Sequence, residues 1–377
     1  MNAKKSTPIA EPAWPPLGKS NPDLIGQSDA EQTLIEAFHS GRMAHAWMIC
    51  GPKGIGKSTL AYRFARYVLS QRGAEDAGPS LFGDDLPAEP SSSLYTDPQS
   101  PVFQRVAAGG HGDLLSIQRS LNDKGKLRSE IVVDNVREVG GFMSLTASEG
   151  GWRIVVIDSA DEMNRNAANA VLKVLEEPPD RALLLLVAHN PGRLLPTIRS
   201  RCRKLNLCSI GTADMGTLLH TYAPQLNDAD TLKLIELADG SIGRAVDLIE
   251  AGGIDLYRNC LGLLATLSNL NMANLHELAD LLSRVGAEDK FNTAMNLLRG
   301  ILARLLRYKA EGVLINDKFV DEIIVFERIS PAAGLDRWLE VWEKVCFLLD
   351  RAEAVNLDRK QVVLNVFLEI DGALRNS

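Results

Sequence analysis

The chain has 377 residues, a length that predicts two or three domains. Of these residues 45% are apolar and 24% are charged, a composition typical of a folded globular protein. Its 41 lysines and arginines against 48 aspartates and glutamates give a net charge of −7, which excludes a general electrostatic attraction to DNA. No apolar run reaches the roughly 20 residues that a membrane helix needs, and the N-terminus lacks the apolar segment of a secretion signal, so we expect a cytoplasmic protein without a membrane partner.

The first half of the chain predicts a strand, a glycine-rich loop and a helix. Residues 1–20 contain four prolines and are predicted to be a flexible arm. A short helix is expected over 29–38 and a buried strand over 46–50, followed by a loop and by a helix whose apolar residues recur every four positions. Residues 73–100 are rich in Pro, Gly, Ser and acidic residues, and we predict a flexible insertion there.

The loop GPKGIGKS, residues 51–58, matches the phosphate-binding motif GxxxxGK[ST] in full. Gly51, Gly54 and Gly56 allow backbone N–H groups to approach phosphate oxygens, and the helix N-terminus adds a favourable dipole. Lys57 is predicted to neutralise the outer phosphates and Ser58 to coordinate Mg²⁺. The alternative is a glycine-rich turn without a ligand.

A second buried strand, 153–158, and a third, 182–188, flank a helix that Asn164 is placed to cap. Buried strands alternating with helices predict a doubly wound α/β core with ligands at the carboxyl ends of the strands. Beyond this core we predict helices only. The expected division is a core over 21–208, a helical lid over 209–254 and a helical collar over 255–377.

Asp158 closes the second strand, where a carboxylate that holds magnesium is expected. The next residue is Ser159, whose hydroxyl has no useful basicity near neutral pH, so the general-base contribution to ATP hydrolysis, worth about 10²–10⁴ in rate, is predicted to be missing. Asp161 and Glu162 lie two and three residues beyond Ser159. The hypothesis that Glu162 reaches inward as a substitute base stays open at this point.

Two arginines complete the predicted site. Arg201 follows the third strand and is a candidate arginine finger for a neighbouring subunit's γ-phosphate, and Arg244 is placed to sense nucleotide from the lid. Taken alone, either arginine is also typical of a solvated surface charge. His189 and Asn190 end the third strand and are weaker candidates for a phosphate sensor.

The positive charges of this region form a local cluster in an acidic chain. Two interpretations stay open, a contact with DNA and a subunit interface or solvated patch. The cluster consists of Arg193, Arg199, Arg203 and Lys204.

Four segments resemble the AAA+ family of delta-prime subunits of the bacterial DNA polymerase III clamp loader. They are GRMAHA at 41–46, AANAVLKVLEEPP at 167–179, LLPTIRSRC at 194–202 and NLDRK at 356–360. The resemblance spans nearly the whole chain, and the combination of Glu-Glu-Pro-Pro with Ser-Arg-Cys is specific to clamp loaders without separating delta-prime from the ATPase subunit.

The resemblance implies a catalytically silent member of a ring with gamma/tau and delta subunits, which opens the sliding clamp and loads it on primed DNA. Arg201 is then expected to act in trans on the ATP of the adjacent gamma subunit. Family members often carry a four-cysteine zinc module after the P-loop helix. Because 73–100 contains no cysteine and the five cysteines of the chain form no CxxC pair, we predict no zinc.

The sequence is compatible with two functions. The first is an assembly subunit that hydrolyses ATP poorly or not at all, and whether it binds ATP with Mg²⁺ is open because its P-loop is intact while that of several relatives is degraded. The second is a gamma/tau-type AAA+ motor or another AAA+ remodeller. A P-loop kinase is disfavoured because no arginine-rich acceptor lid is evident.

Overall fold

The computed structural model describes residues 16–71, 93–121, 125, 127–148, 151–312, 319–355 and 357–375. Most of the predicted arm and most of the predicted insertion therefore lie outside the described residues. The chain divides into two compact units, Met1–Pro224 with Gly240–Gly243 and Gln225–Asp239 with Arg244–Ser377. The predicted lid contributes residues to both units, and the division into three domains stays a prediction.

A five-stranded parallel sheet forms the centre of the first unit. Its strands lie in the order β2-β3-β4-β1-β5, so β1 sits between β4 and β5 and is covered on both edges. All residues of β1, β3 and β4 are buried, because helices cover both faces of the sheet. The strands are β1 (Ala46–Cys50), β2 (Leu114–Ile117), β3 (Arg153–Ile157), β4 (Ala182–Ala188) and β5 (Arg203–Asn206).

Helices account for most of the remaining described residues. Those of the first unit are α1 (Ser28–His39), α2 (Lys57–Ser70), α3 (Pro101–Ala108), α4 (Val133–Val136), α5 (Glu138–Ser144), α6 (Arg165–Glu176), α7 (Pro196–Arg199) and α8 (Thr212–Tyr222). Helix α9 (Asp228–Ala238) belongs to the second unit, and α10 (Ile242–Ala251) begins in the first unit and continues in the second. The others are α11 (Gly253–Leu264), α12 (Met272–Ser283), α13 (Glu288–Glu311), α14 (Val320–Ile329), α15 (Leu335–Val355) and α16 (Arg359–Arg375).

The two faces of the sheet are covered by different helices. On one face, side chains from alternate positions of β1 and β4 pack against α4, α5, α6 and α7 in one apolar cluster. Helix α2 packs against β1, β3 and β4. The predicted doubly wound α/β core followed by helices is confirmed. No helix among the described residues is long and apolar enough to cross a membrane.

Two strands were not predicted from the sequence. Strands β2 and β5 are the edges of the sheet, each has four residues, and their exposed positions carry polar or charged side chains. Edge strands lack the continuous apolar run of a strand covered on both faces, so the pattern that identified β1, β3 and β4 is absent there. Asp158, predicted to close a strand, lies one residue beyond the end of β3.

Candidate functional site

The glycine-rich loop connects the carboxyl end of β1 to the first residue of α2, as predicted. Gly51, Gly54 and Gly56 all have positive φ, at 146°, 78° and 96°, where side chains are strained. At Gly51 a Cβ would also lie 2.7 Å from the carbonyl oxygen of Leu207. The backbone of this loop therefore approaches its surroundings too closely for any residue larger than glycine.

Lys57 is almost completely buried, with 2% of its surface exposed. Its Nζ donates a hydrogen bond of 2.8 Å to the carbonyl oxygen of Gly51 and another to that of Pro52. Burial lowers the pKa of Lys57 to about 8, although the carboxylates of Asp158 and Asp161 oppose this effect. The ammonium group is thus bound to the loop itself. To bind Lys57, phosphate oxygens would have to replace these two carbonyl oxygens as hydrogen-bond acceptors.

Ser58 and Asp158 meet at the N-terminal end of α2. The Ser58 Oγ donates a hydrogen bond of 3.0 Å to Oδ2 of Asp158. A hydroxyl and a carboxylate are hard oxygen ligands of the kind that Mg²⁺ binds through one or two protein groups and the phosphates of a substrate. The pair that the sequence predicted is therefore assembled, and its donor set fits magnesium.

The residues after Asp158 form a tight turn. Ser159 has a left-handed backbone with φ 60°, and Ala160–Glu162 form a short 3₁₀ helix. The carboxylate of Asp161 accepts hydrogen bonds from the backbone N–H groups of His189 at 2.9 Å and Asn190 at 2.8 Å. The two oxygens of Asp161 therefore join the turn after β3 to the end of β4.

Glu162 has a different partner. Its carboxylate forms an ion pair of 2.9 Å with Nε of Arg119. The side chain that the sequence left open as a substitute base is thus directed to a cation close to the end of β2.

His189 lies beside Ser159, the residue that follows Asp158. Its Nε2 lies 3.2 Å from Oγ of Ser159, and its buried Nδ1 has no hydrogen-bond partner among the described residues. Burial and then the charge of Lys57 lower the pKa of His189, so the imidazole is neutral at pH 7. Asn190 is used differently, because its Oδ1 accepts a hydrogen bond of 3.1 Å from Gly192 and caps the next turn.

Arg201 lies two residues beyond α7 and is bound within its own chain. Its Nη1 donates to the carbonyl oxygen of Thr197 at 3.0 Å, and its Nη2 forms an ion pair of 3.0 Å with Oε1 of Glu176. Arg244 follows Gly243 in α10 and belongs to the second unit. The roles of both arginines stay predictions.

The basic cluster is exposed on the surface near β5 and α7. None of its four side chains lies within ion-pair distance of a carboxylate in the part of the chain that the structure describes. The guanidinium of Arg203 stacks on the ring of Trp47 at 4.7 Å from the ring centre. An open pocket of about 370 Å³ is lined by Met48, Pro191, Pro196, Arg199, Ser200 and Lys204.

Two contacts to the loop were not predicted from the sequence. The hydroxyl of Ser241 donates to the carbonyl oxygen of Lys53 at 2.8 Å, and the backbone N–H of Gly243 donates to that of Gly54 at 3.0 Å. These contacts come from the Gly-Ser-Ile-Gly run at residues 240–243, which directly precedes Arg244. Its two glycines and its serine, the residue types of a tight backbone contact, were the available signal.

A buried arginine ties the N-terminal segment to α2. Arg66 is 1% exposed and donates to the carbonyl oxygens of Lys19 at 2.8 Å and Asn21 at 2.7 Å. A Cβ on Gly18 would lie 2.8 Å from Oγ of Ser58. Residues 16–20, the described end of the predicted arm, are therefore packed beside the phosphate-binding loop.

Comparison with known proteins identifies this core. Residues 26–210, which hold the loop, Asp158 and Arg201, match the family described as DNA polymerase III, delta subunit. This match covers just under half of the chain. The resemblance of the chain to delta-prime clamp-loader subunits, inferred above from four sequence segments, is confirmed.

Three known proteins are similar to this chain in sequence. It is similar to subunit delta′ of DNA polymerase III from Pseudomonas aeruginosa, with 40% identity over 159 residues, 42% of each chain. The Escherichia coli subunit delta′ is 32% identical over 219 residues, 58% of each chain. The gamma subunit of Buchnera aphidicola is 27% identical over 292 residues, 76% of this chain and 72% of the relative. The matches therefore cover less than two thirds of either delta′ relative.

The hydroxyl of Ser58 and the carboxylate of Asp158 form the candidate magnesium site. Among the described residues, no group of three or more His, Cys, Asp or Glu side chains is arranged to hold a metal ion. Because most of the insertion 73–100 lies outside these residues, the absence of zinc stays a prediction.

Proposed function

We propose that this chain is a delta-prime-type subunit of a DNA polymerase III clamp loader, which assembles with gamma/tau and delta subunits in the cytoplasm. The complex would load the sliding clamp on primed DNA during replication, and polymerase activity would belong to the larger holoenzyme. In this proposal the chain contributes Arg201 to the ATP site of an adjacent subunit and hydrolyses its own ATP slowly or not at all.

The observation that carries this proposal is the absence of an available carboxylate next to Asp158. Ser159 has no useful basicity, Asp161 is bound to two backbone N–H groups, and Glu162 is paired with Arg119. A neutral His189 beside Ser159 supplies a hydrogen-bonding contact in place of an ionised base.

The site is suited to binding ATP with Mg²⁺ even though hydrolysis is expected to be poor. Bound nucleotide would supply phosphate charge, and the loop N–H groups, Lys57 and the Ser58 and Asp158 pair would hold it. Lys57 would neutralise charge after leaving its two carbonyl partners, and Asp158 would orient Ser58. We propose that Arg244 senses this nucleotide.

A gamma/tau-type motor is the second candidate. It is favoured by the intact loop, by the assembled Ser58 and Asp158 pair at 3.0 Å, and by the similarity to a gamma subunit over 76% of this chain. The motor proposal requires a base that the described turn after β3 does not offer, so we favour the assembly subunit.

Two measurements separate these candidates. Single-turnover hydrolysis by the purified chain alone is expected to be far slower than in an active AAA+ motor, and a brisk rate would refute the proposal. In a reconstituted loader, Arg201→Ala is expected to lower ATPase activity more than Lys57→Ala, because an arginine finger supplies roughly 10³–10⁵ in kcat at the site it serves. Arg137→Ala, an exposed arginine of the first unit outside the basic cluster, is the control. The reverse ranking would favour the motor.

A further inference from the structure

Arg201 is held by one carboxylate, that of Glu176. Glu176 is the last residue of α6, and α6 packs against α7, the helix that precedes Arg201. The ion pair between Nη2 and Oε1 measures 3.0 Å, while Nη1 is bound at 3.0 Å to the carbonyl oxygen of Thr197 in α7. Both terminal nitrogens of the guanidinium are therefore engaged by this chain itself.

Among the described positive side chains of this surface, Arg201 is paired with a carboxylate and the basic cluster is not. The four cations of the basic cluster have no carboxylate partner among the described residues, although they flank Arg201 in sequence on both sides. Glu177, adjacent to Glu176, is exposed and has no ion-pair partner among the same residues. The pairing of Arg201 thus does not follow from a general abundance of acidic side chains on this face.

The ion pair between Arg201 and Glu176 is weak enough for another anion to replace the carboxylate. The side chains of Arg201 and Glu176 are 36% and 49% exposed, and ion pairs with such access to water add little stability because water and salt screen them. A phosphate carries more charge than one carboxylate and accepts two parallel bonds from a guanidinium. The unpaired cations alongside would attract such an anion to this surface.

We infer that Glu176 is a positioning residue that keeps Arg201 folded against α6 and α7 until a phosphate of the neighbouring subunit's nucleotide displaces its carboxylate. This inference rests on the proposed role of Arg201 in trans. Glu176 makes delivery of the arginine conditional on the neighbour's ATP, because the pair has to break before the guanidinium reaches a phosphate. Removing the carboxylate therefore lowers the barrier to delivery.

The test is the ATPase activity of the reconstituted loader with primed DNA and clamp, measured against ATP concentration. Glu176→Gln is expected to raise kcat/KM by about twofold to fivefold, the equivalent of an exposed ion pair. Glu177→Gln, which makes the same change of charge one residue away, is expected to leave kcat/KM unchanged. The gain from Glu176→Gln should shrink as salt is raised and should vanish in an Arg201→Ala background.

The possible results separate this inference from the proposed function. If Arg201→Ala lowers ATPase activity while Glu176→Gln has no effect or lowers kcat/KM, the positioning role is overturned and the role of Arg201 stands. An equal gain from Glu177→Gln would also overturn it, since general charge removal would then explain the effect. If Arg201→Ala leaves the activity of the complex unchanged, the proposed function fails and takes the role of Glu176 with it. Co-elution of each variant with the other subunits verifies assembly.

Discussion

Lys57 keeps its positive charge in a buried position, which makes nucleotide binding sensitive to pH. Its pKa of about 8 lies below the ordinary 10.5 because burial disfavours the ammonium form. Bound phosphate favours that form and raises the pKa, so protonation and nucleotide binding support each other. Affinity is therefore expected to be constant below pH 8 and to fall above it.

The size of this effect follows from the linkage. Between pH 8 and the pKa of the nucleotide-bound state, affinity falls by up to about tenfold per pH unit. Equilibrium binding of a fluorescent ADP analogue between pH 7 and 9.5 measures it. Lys57→Arg keeps its charge over this range and should give a nearly flat profile, while Lys53→Ala in the same loop should keep the slope. An identical slope in Lys57→Arg would assign the titration to another group.

At the level of single residues, the sequence predicted the groups but not their contacts. The loop glycines, Lys57, Ser58 and Asp158 were identified because their spacing is fixed by the phosphate they are suited to bind. The pairing of Ser159 with His189 depends on which strands end side by side. Strands β3 and β4 are parallel neighbours, although 24 residues separate the end of β3 at Ile157 from the start of β4 at Ala182 in the chain. The local sequence pattern does not show that β3 and β4 are adjacent in the sheet.

Helices α11, α13 and α14 of the second unit are linked by a buried polar network. Glu322 is completely buried and receives hydrogen bonds from Nε and Nη2 of Arg304 at 2.7 and 2.6 Å and from the hydroxyl of Tyr257 at 3.0 Å. The guanidinium of Arg304 also stacks on Phe319 at 4.0 Å. Because each polar group satisfies another, loss of one leaves its partners buried without compensation.

Glu322→Ala is therefore expected to lower the free energy of unfolding by about 3–5 kcal/mol, since it leaves the Arg304 charge unpaired. Urea unfolding followed by circular dichroism measures the change. Glu327→Ala removes the same side chain from an exposed position of the same helix, and its effect should stay within about 0.5 kcal/mol. Similar losses in the two variants would show that helix α14, and not the network, was affected.

Buried strands were predicted from the sequence more accurately than exposed ones. The bounds of β1 and β4 were predicted to the residue, and Asn164 caps α6 as expected, with its side chain accepting a hydrogen bond of 2.9 Å from the N–H of Ala167. The edge strands were missed because β5 exposes Arg203, Lys204 and Asn206 and buries only Leu205. A strand with one side at the solvent leaves too weak an apolar signal in four residues.

At the scale of the whole molecule, the first unit is discontinuous in sequence. The chain leaves it at Pro224 and returns for Gly240–Gly243, which contact the phosphate-binding loop about 190 residues earlier in sequence. Neither the sequence of the phosphate-binding loop nor that of residues 240–243 indicates that the two are in contact. The loop thus forms hydrogen bonds with residues that return to the first unit after helix α9 in the chain.

Gly243→Ala tests whether this return segment sets the shape of the loop. A Cβ on Gly243 would lie 2.7 Å from Cα of Gly54, which is backbone and has no flexible side chain that could move aside. Since Gly243 has no positive φ, alanine adds a clash without backbone strain. We expect the loop to shift, the affinity for nucleotide to fall by about tenfold or more, and the loop amides to exchange faster with deuterium.

Gly216→Ala in α8 is the matched control, because its added Cβ meets nothing within 4 Å and alanine favours a helix. It should preserve affinity and leave amide exchange in the loop unchanged. If Gly243→Ala binds nucleotide as tightly as Gly216→Ala does, the loop keeps its shape without the return segment. The hydrogen bonds from Ser241 and Gly243 would then accompany the binding conformation without determining it, and residues 51–58 alone would specify the phosphate site.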